Sequence, residues 1–178
     1  MTGSLPAVTE PIFAATSSVD ATQALAAAVA ELARPGDLLL LAGDLGAGKT
    51  AFAQGFGAAL GVTERITSPT FTIVSQYEGR LDFNHLDVYR LDQLHEVLDI
   101  GLPELLDEGG VTLIEWGDTV LPSLPPTYLE VRLEHPDEAT DDDRAFTLLP
   151  VGNAWSPRRR AIIEAIRPWL ATPDREDA

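Results

Sequence analysis

The sequence predicts an α/β fold, three layers built on a mixed, largely parallel central sheet with antiparallel strands at its terminal side. Three observations carry this. Leu38–Ala42 is an unbroken apolar run of strand length, the pattern of a strand buried on both faces. A glycine loop, Gly43–Gly48, and a helical stretch from Lys49 follow it directly. Further β-rich runs come later, Val111–Trp116 first and then the pair Tyr128–Leu133 and Ala145–Leu149.

The elements follow in order. Ile12–Ala15 reads as a short strand. A helix follows, capped by Asp20 or a neighbouring Ser and running to about Ala33, with Leu25, Val29 and Leu32 on one face. Pro35-Gly36 turns the chain into the strand Asp37–Ala42. Past the glycine loop, the helix Lys49–Leu60 is stopped by Gly61. Thr70–Tyr77 and Leu81–Tyr89 flank Glu78-Gly79-Arg80, a hairpin signal. Gln93–Asp107 is helical with a break from Gly101 to Pro103, and Val111–Trp116 is a second buried strand. After the late β pair, Ser156 and Pro157 are placed to open a last helix as N-cap and N1.

Composition narrows the class. The chain has 178 residues, enough to bury a core, and 45% of them are hydrophobic, too many for a disordered chain. Without cysteine there is no disulfide framework, thiolate metal site or cysteine nucleophile. No apolar run reaches the length of a membrane span, and residues 1–10 lack the basic and apolar regions of a leader. A cytoplasmic protein without membrane contact is expected. With 28 acidic and 12 basic residues the net charge is −16, which opposes tight direct binding of nucleic acid. The charge is uneven: residues 1–150 hold 7 basic and 24 acidic side chains, residues 151–178 hold 5 and 4. Residues 1–150 are therefore read as one domain and 151–178 as a C-terminal helical extension.

The glycine loop carries the chemistry. Gly43-Asp44-Leu45-Gly46-Ala47-Gly48-Lys49-Thr50 fits the phosphate-binding pattern of Gly, four residues, then Gly-Lys-Thr. Its glycines let backbone N–H groups converge on a phosphate, and the helix beginning at Lys49 adds its dipole. Lys49 would reach the β- and γ-phosphates while Thr50 offers a hydroxyl to Mg²⁺. Lys49 is also the only Lys among the 12 basic residues. Arg is a poor substitute where a compact ammonium is needed. Asp44 to Thr50 are thus the candidate nucleotide-binding residues.

Such a loop needs a carboxylate for the metal and a group to orient the attacking water. Glu115 ends the apolar run Val111-Thr112-Leu113-Ile114, and Asp87 ends the β-rich run before it. Both fit the crevice at the carboxyl ends of parallel strands. Ser68-Pro69-Thr70 occupies the place where a Thr sensing the γ-phosphate can lie, although a plain turn is the simpler account. His85 reads as a packing hydrogen bond, Trp116 as core, Asp141–Asp143 as a solvated loop and Arg158–Arg160 as a charged helix face.

Taken in order, the glycine loop, Ser68-Pro69-Thr70-Phe71-Thr72, His85-Leu86-Asp87-Val88-Tyr89-Arg90-Leu91 and Ile114-Glu115-Trp116 resemble the bacterial TsaE (YjeE) ATPases. The resemblance covers about Thr16 to Leu149, with a departure at Gly117-Asp118. It implies an ATPase of threonylcarbamoyladenosine synthesis on tRNA, with ATP and Mg²⁺ as cofactors and TsaD-type and TsaB-type proteins as partners. It implies Thr50 and Glu115 on Mg²⁺, with Asp87 as second acid near the metal and the attacking water. Lys49 and Asp87 become the catalytic candidates. Thr70 would contact the γ-phosphate region, and Ser17 and Arg144 match further nucleotide-binding positions by loose alignment. Two other P-loop functions fit less well. A small-molecule kinase wants an Arg-rich lid, and only Arg65, Arg80 and Arg90 lie centrally. A GTP switch needs an Asn-Lys-x-Asp motif, impossible when the single Lys is Lys49. A non-enzymatic reading, an ATP-binding assembly factor with incidental hydrolysis, also fits the loop.

Overall fold

The computed structural model describes residues 9–69, 73–88, 101–115, 121–137 and 139–172. Strands β1 (Ile12–Thr16), β2 (Leu38–Ala42), β3 (Val74–Tyr77), β4 (Phe83–Asp87), β5 (Val111–Glu115), β6 (Tyr128–Glu134) and β7 (Arg144–Val151) form one sheet in the order β1-β7-β6-β2-β5-β4-β3. The four central strands, β6, β2, β5 and β4, run parallel. Antiparallel pairing closes both sides, β3 on β4 and β7 and β1 beyond β6. The predicted mixed α/β sheet is what the chain forms.

Alternation along β2 shows why its Leu run has no polar face. Leu39 and Leu41 pack with Leu25, Phe52, Phe56 and Leu113 on one side of the sheet. Leu38 and Leu40 pack with Leu86, Ile114 and Leu102 on the other. Helices α1 (Val19–Ala30) and α2 (Lys49–Ala59) cover the first face, and α3 (Leu102–Asp107) covers the second. The N-cap of α1 is Ser18, whose Oγ accepts from the Ala21 N–H at 3.0 Å, and Asp20 sits in the first turn. Among the described residues no helix is long and apolar enough to cross a membrane.

The end of the chain differs from its sequence reading. Ser156 begins a 3₁₀ turn rather than capping an α-helix directly. It also closes α4 (Gly152–Trp155), and its hydroxyl donates to Pro150 O. A 3₁₀ turn over Ser156–Arg158 then leads into α5 (Arg159–Ala165). Gly152 has φ 76°, which bends the chain away from β7 immediately and shifts the helix start forward. Trp155, Ile162 and Ile166 belong to the same core as α1 and the sheet. Ala171 N–H donates to Phe13 O at 2.9 Å, and Leu170 bridges to Ala14, so this segment pairs with the outer edge of β1.

Arg158 is not on a charged face. It is 6% exposed and forks onto Asp37, Nη2 to Oδ1 at 2.6 Å and Nη1 to Oδ2 at 2.7 Å. Its guanidinium also lies 3.8 Å over the ring of Trp155, while Arg159 donates to Glu10 O.

Candidate nucleotide site

Parallel pairing brings the site together. The loop Gly43–Gly48 leaves the carboxyl end of β2, and β5, hydrogen-bonded beside it, ends at Glu115. On the next strand Asp87 lies directly across from Glu115 in register. Three side-chain groups predicted from separate stretches therefore converge at one end of the sheet, where α/β folds hold ligands.

The loop has the backbone its glycines predict. Gly48, the residue before α2, has φ 101°, a conformation that a side chain would strain. A Cβ on Gly43 would overlap the carbonyl oxygen of Leu133 in β6. Lys49 is 5% exposed and its Nζ donates to the carbonyls of Gly43 (2.7 Å) and Asp44 (2.9 Å). These contacts fold the ammonium back across the loop mouth. Asp44, Leu45 and Gly46 form the exposed rim and Ala47 is buried beneath them. With α2 spanning Lys49–Ala59, the loop has a full helix N-terminus behind it.

Thr50, in the first turn of α2, places Oγ1 3.4 Å from Glu115 Oε1. Glu115 is buried, and its Oε1 also lies 2.8 Å from His85 Nε2. Asp87 is half-buried and its Oδ2 accepts from Ser68 Oγ at 2.7 Å. The donor set of Thr50 and Glu115 is hard oxygen, which suits Mg²⁺ rather than a softer metal. Among the described residues no three His, Cys, Asp or Glu converge on one point. A divalent ion held by these two groups would complete its shell with water and phosphate oxygens, as Mg²⁺ usually does.

Arg144 reaches the loop across 97 residues of sequence, but through backbone. Nε donates to Ala47 O at 2.9 Å and Nη2 to Gly46 O at 3.2 Å, while Nη1 donates to the carbonyls of Asp141 and Asp143. The turn beneath it is held by Thr140, whose N–H and hydroxyl both donate to Asp143 Oδ2. Those two bonds hold the Asp143 carboxyl below the ordinary carboxylate range. Peptide planes 46 and 47 thus turn their carbonyls toward Arg144, which directs the N–H groups of Ala47 and Gly48 the other way, the Ala47 N–H onto Asp44 O at 3.0 Å. Arg144→Ala should weaken nucleotide binding about ten-fold, and Arg144→Lys should not restore it, since an ammonium cannot span the fork of carbonyls. Titration with a fluorescent ATP analogue checks this, and full rescue by Lys would contradict it.

Ser17 is exposed and follows Thr16, which pairs with Arg144 in register, so these two candidates sit side by side. Thr70, Phe71, Thr72, Tyr89, Arg90, Trp116, Gly117-Asp118 and the stretch 93–100 lie outside the described residues. Sequence reasoning left two partners unassigned, Ser68 for Asp87 and His85 for Glu115. The available signal was alternation: His85 and Asp87, two apart on one strand, share a face.

The chain is similar to known proteins over most of its length. Residues 16–145 match the family model described as threonylcarbamoyl adenosine biosynthesis protein TsaE. A tRNA threonylcarbamoyladenosine biosynthesis protein TsaE of Bacillus subtilis is 43% identical over 141 residues, 79% of this chain and 86% of that protein. A protein of the same name from Rickettsia conorii is 37% identical over 153 residues, 85% of each. The crystal structure of Bacillus subtilis YdiB superposes with a TM-score of 0.72 at 35% identity, covering 91% of this chain and 97% of that one. The chain belongs to the TsaE family.

Proposed function

We propose that the chain is a Mg²⁺-dependent ATPase required for threonylcarbamoyl modification of adenosine in tRNA, acting on a partner complex rather than on the base. The observation that carries this is the meeting of Thr50 and Glu115, 3.4 Å apart, at the mouth of a phosphate loop. The names of the relatives supply the pathway.

In this reading the backbone N–H groups of Asp44 to Thr50 and the α2 dipole hold the phosphates, and Lys49 Nζ supplies the compensating charge. Thr50 and Glu115 would hold Mg²⁺, with Asp87 beside them on the next strand. The ion would offset charge between the β- and γ-phosphates. Asp87, steadied by Ser68, orients the attacking water. Ser17, Thr70 and Arg144 complete the nucleotide site, Arg144 through the loop carbonyls it grips.

Hydrolysis by the chain alone is expected to be slow. Four of the Arg144 donor contacts go to backbone carbonyls, which leaves that guanidinium poorly placed to act on a transferring phosphoryl group. Where no arginine among the described residues is committed to the transferring phosphate, a P-loop site commonly waits for another protein to supply one or to order the site. TsaB-type and TsaD-type proteins are the proposed partners, and an acidic surface at net charge −16 suits contact with protein better than with bare tRNA. Steady-state phosphate release is the test, for the chain alone, with each partner and with both. Stimulation of at least about ten-fold is expected, and Asp87→Asn should remove it while keeping most ATP affinity. Fast hydrolysis unchanged by either partner would overturn the partner-dependent reading.

A further inference from the structure

His85 is wholly buried, yet the reaction just described gives it no task. Its position on β4 is one that packing alone would fill with an apolar ring. Phe83, two residues earlier on the same face, does so, and the two rings stack 5.9 Å apart at 11°. The imidazole brings one feature that a phenyl ring lacks: Nε2 lies 2.8 Å from Glu115 Oε1. It also brings a liability, because Nδ1 is buried without a hydrogen-bond partner. A carboxylate accepts only, so Nε2 carries the hydrogen that Glu115 receives. One buried nitrogen is left unpaired so that the other can hold that oxygen.

The oxygen held is the one that Thr50 Oγ1 faces at 3.4 Å. A free glutamate has three side-chain torsions and would sample several orientations at the end of β5. With Oε1 tied to a rigid ring on the neighbouring strand, those torsions are restricted. We propose that His85 is a positioning residue, whose Nε2–H fixes the Glu115 carboxylate where it and the Thr50 hydroxyl can share a divalent cation. This rests on the reading of Glu115 as the metal carboxylate. It requires no change in protonation of either group, and His85 itself touches neither metal nor nucleotide. Groups behind a metal ligand commonly set affinity in this way.

The test separates metal from nucleotide. Binding of a fluorescent ATP analogue is titrated in EDTA and then against Mg²⁺ for the wild type, His85→Phe, His85→Gln and Glu115→Gln. His85→Phe should raise the half-saturating Mg²⁺ concentration about ten-fold or more while changing metal-free affinity less than about two-fold. His85→Gln, whose amide N–H can reach the same oxygen, should recover most of the loss. If His85→Phe does not fold, His85→Met takes its place, filling the space flexibly and without a donor. An unchanged Mg²⁺ requirement, or an equal loss of metal-free binding, would overturn the inference. A shift in Glu115→Gln with none in the His85 variants would overturn it alone and spare the metal role of Glu115. Wild-type binding that ignores Mg²⁺ would bring down both.

Discussion

Lys49→Ala should lower ATP affinity about 100-fold or more, the loss expected when a charge-assisted contact to phosphate is removed from a partly enclosed site. The side chain is placed for this. Lys49 is 5% exposed, and its ammonium is held by the carbonyls of Gly43 and Asp44, which sets its distance from anything bound in the loop. Truncation removes the charge and takes the ammonium donor away from Gly43 O and Asp44 O, the latter keeping the Ala47 N–H at 3.0 Å. Lys49→Arg should rescue little, because a planar fork does not fit between two converging carbonyls and a phosphate. Titration of a fluorescent ATP analogue, with circular dichroism to confirm folding, measures the effect. Wild-type affinity in Lys49→Ala would remove the basis of the phosphate-site assignment.

Such a site is legible in sequence because its parts are local. Gly43 to Thr50 are contiguous, and each residue type is dictated by backbone conformation or by phosphate chemistry. Glu115 and Asp87 were also legible, since each ends a β-rich run and parallel pairing puts strand ends side by side. What sequence did not disclose depends on contacts between distant segments. The grip of the Arg144 guanidinium on the loop carbonyls is one such contact, decided by how β7 folds back past β6. His85 looked like a packing residue, and only the β4–β5 register shows whose carboxylate it meets. The final helices were the hardest to read. Arg158, Arg159 and Arg160 form a basic run, but three consecutive helical residues point in different directions. The first is buried on Asp37, the second meets Glu10 and the third is exposed.

That buried pair gives the largest expected effect on stability. Arg158 and Asp37 are 6% and 5% exposed, joined by two short bonds and separated by 121 residues of sequence. Asp37 also accepts from the Arg34 N–H at 2.8 Å, and Arg158 donates to the carbonyls of Leu32 and Ala154. Removing one charge strands the other in the core. Arg158→Met should therefore destabilise the protein by about 3–5 kcal/mol, read from urea unfolding followed by circular dichroism. The double variant Asp37→Leu, Arg158→Met should recover most of that loss, because the desolvation cost disappears together with the pair. A loss below about 1 kcal/mol in Arg158→Met would mean that the pair is solvated and the final helices are loosely held. The same variant separates stability from binding. Asp37 precedes β2 and the phosphate loop follows it, so a five-residue strand, roughly 16 Å, lies between the pair and the site. Within the folded population, ATP affinity of Arg158→Met should stay within about three-fold of wild type, since additivity holds at such separations. A larger drop would show that the strand transmits the disturbance, and that the C-terminal helices help to hold the loop in its binding geometry.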